Sequence, residues 1–270
     1  MDELSASPPS QTAQLCANCG AMRAGPWCQA CGQHMEATHR SVRRLGLEAF
    51  EHLINTDGKI LTTLKQLFTH PAQLTKAYLA GHRVAQVAPI NLFLVILVLF
   101  LFIAGQTTHV VIIPPSAAQA AEIPRFMRWT IPISNVLHEH AASFTSNLSE
   151  SAEMFGLLTV PVAALLLWGL FAFPRRGFRL FDHLIFSLHS LSFQFIMLAL
   201  IALLPDSLGI LALPLLAIMP VHLFFHMRGT YGSGVRSTLV RMALLGAGTG
   251  VASIVLITLW MSLAYAELWI

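Results

Sequence analysis

The sequence predicts an all-α integral membrane protein of about five transmembrane helices preceded by a small cysteine-bearing head. Three observations predict it. The chain of 270 residues is 55% hydrophobic and only 11% charged, whereas soluble domains carry roughly 25% charge. Its polar and apolar parts are segregated: residues 1–86 are polar and basic, and long uncharged runs follow Val87. All four cysteines fall between positions 16 and 31. A mean hydropathy of +0.66 spread this unevenly describes a head and a membrane domain, not one globule.

From the N-terminus, MDELSASPPSQTAQL has neither a basic n-region nor an apolar h-region, so it is not read as a signal peptide. It reads as a disordered lead-in at 1–14. The module at 15–34 contains two CxxCG knuckles, Cys16–Gly20 and Cys28–Gly32, with eight residues between Cys19 and Cys28. In such a knuckle the glycine adopts positive φ, so that backbone N–H groups can point at the thiolates. Two knuckles joined by a short hairpin place four thiolates tetrahedrally around one zinc at about 2.3 Å. Cys16, Cys19, Cys28 and Cys31 are therefore the predicted metal ligands, and the module is a zinc ribbon. A closed four-sulfur shell leaves no place for water, so the metal is structural. An iron site of the same geometry and a CxxC redox pair are the alternatives.

Residues 40–86 read as amphipathic cytoplasmic or interfacial helices, which either lie at the cytoplasmic interface or pack on the inner face of the membrane bundle. Leu45, Phe50, Leu53 and Ile54, then Ile60, Leu61, Leu64, Leu67 and Phe68, recur at helical spacing. Asn55–Gly58 breaks the run, and Thr56 or Asp57 can cap the second helix. His70-Pro71 starts another short helix with Pro at its first position, and Gly81 fits its C′ cap.

The membrane domain is 87–270. Apolar segments long enough to span are Pro89–Ala104, Met154–Phe173, His183–Leu204, Leu208–Phe225 and Leu239–Leu263. Pro161 and Pro214 lie inside two of them and can mark kinks. Lys and Arg alternate across the spans. Arg40, Arg43, Arg44, Lys59, Lys65, Lys76 and Arg83 precede the first, Arg175, Arg176 and Arg179 follow the second, and Arg228, Arg236 and Arg241 follow the fourth. The external loop 105–153 has only Arg125 and Arg128. The positive-inside rule then places the N-terminus in the cytoplasm and the C-terminus outside. The loop contains an apolar stretch, 124–137, too short to span and expected as a re-entrant or interface-lying helix with Trp129 among the headgroups.

At this point the motifs form a familiar order. A CxxCG…CxxCGQ ribbon is followed by Arg40, Asn55-Thr56-Asp57, Thr63-Leu64-Lys65-Gln66-Leu67, His70-Pro71, Tyr78-Leu79-Ala80-Gly81-His82-Arg83 and Pro89. Later comes Phe181–Phe193, FDHLIFSLHSLSF. This resembles the bacterial family DUF3667, membrane proteins of unknown function. His82 departs from the pattern, which has a Lys before the Arg. The resemblance implies a bacterial inner (cytoplasmic) membrane and implies no activity.

Polar residues within spans are functional candidates by default. His222 and His226 share one helix face at i, i+4. His183 begins the third span beside Asp182, and His189 lies nearly two turns deeper, about 9 Å along the axis. Together with Gln194 they outline a polar intramembrane site that binds a metal, relays protons, or only packs. His138-Glu139-His140 is expected in a solvated external loop. Gly246, Gly248 and Gly250 read as close helix packing, and Met227–Gly234 as a basic cytoplasmic turn. No Walker loop, GxSxG or paired carboxylate motif appears.

Function is ranked on this basis. First comes a non-enzymatic scaffold or regulator whose ribbon and interfacial helices face a cytoplasmic protein partner. Second comes a small transporter or channel subunit, as a homo-oligomer, with a polar path along spans three and four. Third comes a membrane enzyme with a His-bound metal. The lipid bilayer is a partner in all three. A net charge of +3 is too small and scattered to argue for nucleic acid.

Overall fold

The computed structural model describes residues 14–23, 25–34, 59–107, 130–172 and 177–266. The head begins with two short antiparallel strands, β1 (Gln14–Leu15) and β2 (Met22–Arg23). They flank the first knuckle instead of joining the two knuckles, and an isolated bridge between Trp27 and His34 closes the second. The same two bonds fold both knuckles: Cys16 N–H to Ala21 O and Gly20 N–H to Cys16 O, then Cys28 N–H to Gln33 O and Gly32 N–H to Cys28 O. The last residue of each loop must turn back with φ near +75° at Gly20 and +72° at Gly32, which glycine adopts without steric cost.

Two short helices follow, α1 (Lys59–Thr69) and α2 (Pro71–Ala80). Pro71 has no N–H, so the helical ladder stops at His70, whose backbone is non-helical. Glycine ends α2. Gly81 is left-handed at φ +97°, with Gly81 N–H on Tyr78 O and His82 N–H on Ala77 O, a Schellman motif. Leu67, Leu74 and Tyr78 are buried, so the hairpin packs on the bundle through one apolar face. Burial of each Leu contributes about 1.5–3 kcal/mol. The expected second interfacial helix is thus α1, seated on the bundle. The first one, its Thr56/Asp57 cap, Arg40, Arg43 and Arg44 lie outside the described residues.

Among the described residues, five helices are long and apolar enough to cross a membrane. They are α3 (Pro89–Thr107), α5 (Ala141–Phe171), α6 (Leu180–Ala202), α7 (Ala212–Tyr231, entered through a 3-10 turn at Asp206–Leu211) and α8 (Val235–Ala266). A short α4 (Thr130–Glu139) precedes α5. The interior is organised around α6, of whose spanning window 56% is buried, against 6% for α7 and for α8. Helices α3, α5, α7 and the short α2 surround it, and α8 packs outside on α5 and α7. Three apolar clusters meet on α6. Phe181, Ile185 and Leu188 pack with Phe93 and Val160; Phe193 and Met197 pack with Leu67 and Leu92; Phe186 packs with Leu167 and Leu245.

Several expectations change. Helix α5 starts thirteen residues before its apolar segment, because the polar stretch SNLSESAE continues the helix. Pro214 falls in the first turn of α7, where a missing N–H costs nothing, and Pro220 is the internal proline. Of the three glycines in α8, only Gly248 has a neighbour that an added Cβ would crowd, Leu166 at 3.2 Å. Met227–Tyr231 is the last turn of α7, so the polar turn is only Gly232–Gly234. His138–His140 is the α4–α5 junction, with all three residues exposed. Residues 108–129 of the loop expected to be external, with Arg125, Arg128 and Trp129, and residues 173–176, with Arg175 and Arg176, lie outside the described residues.

Candidate functional site

The four cysteine sulfurs converge. Their Sγ atoms lie within 4.8 Å of one another, with Cys16–Cys31 at 3.7 Å and Cys19–Cys28 at 3.6 Å, and all four cysteines are free of disulfides. A tetrahedron of sulfurs about 2.3 Å from a central ion has edges of about 3.8 Å, so the cluster has the size of a metal shell. The thiols differ in acidity. The Cys19 backbone N–H, and after it that of Asn18, lowers the Cys16 thiol to about 6. Burial pushes Cys28 up, and the N–H groups of Cys31 and Ala30 more than offset it, so the thiol is lowered. At Cys19 the Ala21 N–H pulls down, but the surrounding thiols and burial win and push it up to about 12. Thiolates, not thiols, are the metal ligands, so a divalent ion bound here would ionise the cluster as it binds.

The ribbon is seated, not free. Gln33 Nε2 donates to Gly81 O at 3.0 Å, and His82 Nδ1 donates to Asn18 O at 3.1 Å. A Cβ added at Gly81 would lie 2.9 Å from the Ala17 Cβ. The seat is therefore the Schellman turn that ends α2, in contact with the first knuckle through Ala17 and Asn18 and with the second through Gln33. Arg83 braces the same turn, its guanidinium 4.7 Å from the Tyr78 ring centre.

Helix α2 then carries the seat into the membrane bundle. Its Thr75 is fully buried, and the hydroxyl lies 2.9 Å from His189 Nδ1 on α6 and 2.8 Å from His226 Nε2 on α7. The close approach needs Gly229 on α7, where an added Cβ would overlap the Ala72 Cβ. Aromatic rings enclose the histidines: Tyr78 edge-on to His189 at 6.4 Å, Phe186 stacked on His226 at 4.1 Å, and Phe193 parallel to His222 at 3.5 Å.

His222 and His183 are engaged separately. Pro71 cannot donate to the carbonyl of Leu67, four residues back, and His222 Nε2 donates to that carbonyl at 2.8 Å. His183 Nδ1 lies 2.9 Å from the Tyr231 hydroxyl. Gln194 is half-buried on α6 and joins none of these bonds. Among the described residues, the group of His, Cys, Asp and Glu close enough to hold a metal is the cysteine cluster. The histidines are instead paired off to a hydroxyl, a carbonyl and a phenol.

Sequence reasoning overlooked Thr75, Tyr231 and Gln33 as site residues. Gln33 was visible in the CxxCGQ motif. Thr75 was readable only as the polar residue next to Leu74 and Tyr78 on an otherwise apolar face.

The motif residues thus acquire physical roles. Thr63 Oγ1 accepts from Val87 N–H and ties α1 to the start of α3. His70-Pro71 breaks the hairpin, and Gly81-His82 receives the ribbon. Asp182 accepts from the Arg179 N–H and caps α6. No curated protein and no solved structure matches the chain. Residues 57–101, which run from the start of the hairpin into α3, match the model of the family described as "Protein of unknown function (DUF3667)", the family that the motifs resemble.

Proposed function

We propose that the chain is a non-enzymatic scaffold or regulator of the bacterial inner membrane whose zinc-bound ribbon faces a protein partner in the cytoplasm. The single observation that carries this reading is the seating of the ribbon. It is fixed to the α2 cap through Gln33 and Asn18, while Leu15, Met22 and Trp27 remain 66%, 70% and 60% exposed. Apolar side chains held in water on a fixed module mark a surface for a partner. Zinc suits the four-sulfur shell because thiolates favour it and because it adopts tetrahedral geometry. The residues that would hold it are Cys16, Cys19, Cys28 and Cys31, and its contribution would be to fold the ribbon, which buries too little to fold alone.

The test has two arms. Metal analysis of the purified chain should give one zinc per chain, lost in Cys16→Ser. A photocrosslinking amino acid at position 27, in cells, should give a discrete protein adduct, whereas the same residue at the exposed α5 position 157 should not. A zinc-free chain, or matching adduct patterns at the two positions, would overturn the reading.

A further inference from the structure

We infer that Thr75, His189 and His226 form a proton-binding site inside the bundle, in which one proton is shared by two rings through the Thr75 hydroxyl. This inference stands apart from the ribbon proposal. A hydroxyl has one proton to give and lone pairs to accept with. Between His189 Nδ1 and His226 Nε2, at 2.9 and 2.8 Å, it must donate to one ring and accept from the other. Thr75 therefore makes the two rings inequivalent, one a donor and one an acceptor at the bridge. The outer nitrogens, His189 Nε2 and His226 Nδ1, are buried without a hydrogen-bond partner among the described residues. Core-packing histidines normally satisfy both nitrogens, and unpaired buried polar atoms call for an explanation.

A shared proton supplies one. With an extra proton on His189, Nδ1–H donates to Thr75 Oγ1, and the hydroxyl donates to a bare His226 Nε2. If the Nδ1 proton moves to Oγ1 as the hydroxyl proton moves to Nε2, His189 becomes neutral with its proton on Nε2. His226 becomes the imidazolium. No atom is left over and no charge is created. The outer nitrogens are then the points where the proton arrives and departs.

The surroundings admit no second charge. His226 is stacked on Phe186 at 4.1 Å, with the ring of His222 at 5.8 Å, and Tyr78 of α2 stands edge-on to His189. His222 is turned away, its Nε2 on Leu67 O of α1. The His183–Tyr231 pair lies beyond Phe186, with Arg241 of α8 over Phe171 past it, and Asp182 caps α6. The titratable or charged neighbours are thus His222 and Tyr78, and after them the pair, Arg241 and Asp182. Two imidazolium ions on one hydroxyl would repel each other in a low dielectric, so the pair takes one proton, not two.

The experiment is nitrogen NMR of 15N-histidine-labelled full-length protein in nanodiscs, between roughly pH 4 and 9, assigned with His189→Gln and His226→Gln. The wild type is expected to show His189 Nδ1 and His226 Nε2 shifting together in one step, with one proton bound by the pair. Thr75→Ser should keep that step. Thr75→Val should uncouple the rings and move the midpoint by about tenfold in proton concentration or more. Two fixed neutral tautomers over the whole range, or two independent one-proton titrations in the wild type, would overturn the inference. The wild-type curve decides by itself if the valine variant fails to fold.

Discussion

Gly229 has no side chain at the one point where α7 must admit Ala72 of α2. Gly246 on α8 has nothing within 4 Å of an added Cβ. The two glycines predict opposite outcomes. Gly229→Ala should push α2 away from α7 and destabilise the bundle by about 1–3 kcal/mol. Gly246→Ala should be neutral or stabilise by up to about 1 kcal/mol through helix propensity. Unfolding of the detergent-solubilised variants, followed by circular dichroism, checks this, and equal effects at the two positions would refute the packing argument. The sequence pointed only partly this way, since of the GAGTG glycines Gly248 alone lies against a neighbour, Leu166. GAGTG looked like a packing motif, and Gly229 sat in a run that reads as a turn. Composition signals small residues but not which helix approaches them. The cysteines were legible for the opposite reason: a four-ligand shell is written in local spacing, whereas the Thr75 bridge joins residues more than a hundred positions apart.

At the scale of elements, apolar length located every span, and punctuation located the α1–α2 break and the α2 cap. What it missed was the polar half of α5, because hydropathy reports the lipid-facing part of a helix and not where its hydrogen bonds end. It also left open whether the ribbon is attached. Attachment depends on two bonds, Gln33 to Gly81 and His82 to Asn18, and neither has a sequence period. They predict a coupling. Stripping the metal with a chelator should unfold the ribbon and release the cap it covers. Hydrogen exchange should then accelerate in the last turn of α2 and at Gly81–His82 while the interior of α6 stays protected. Unchanged exchange at the cap after metal loss would show that the seat does not depend on the folded ribbon.

For the molecule as a whole, Arg179, Arg228, Arg236 and the basic hairpin cluster at one end of the spans, and the positive-inside rule predicts that this end, with the head, is cytoplasmic and that the C-terminus is outside. Alkaline phosphatase fused after Ile270 should be active and a fluorescent protein there dark; the reverse would invert the topology. The same end of the bundle holds the hairpin, for which the sequence left open both a place at the interface and a place packed on the bundle. It is an interior component, since Leu67, Leu74 and Thr75 are buried among the spans.

Proline 71 makes that possible in a way that reaches past its own turn. Residues 59–80 as one rod would be about 33 Å long, the thickness of a bilayer, and too stiff to fold back into the bundle. The ring interrupts the rod and leaves one carbonyl without its normal donor, and His222 from a distant helix supplies the replacement. The corner is thus a keyed joint: a bend made in one part of the chain closes only with a tooth borrowed from another. A chain with Ala at 71 could satisfy Leu67 internally, straighten, and withdraw the whole hairpin, ribbon seat included, from the membrane domain.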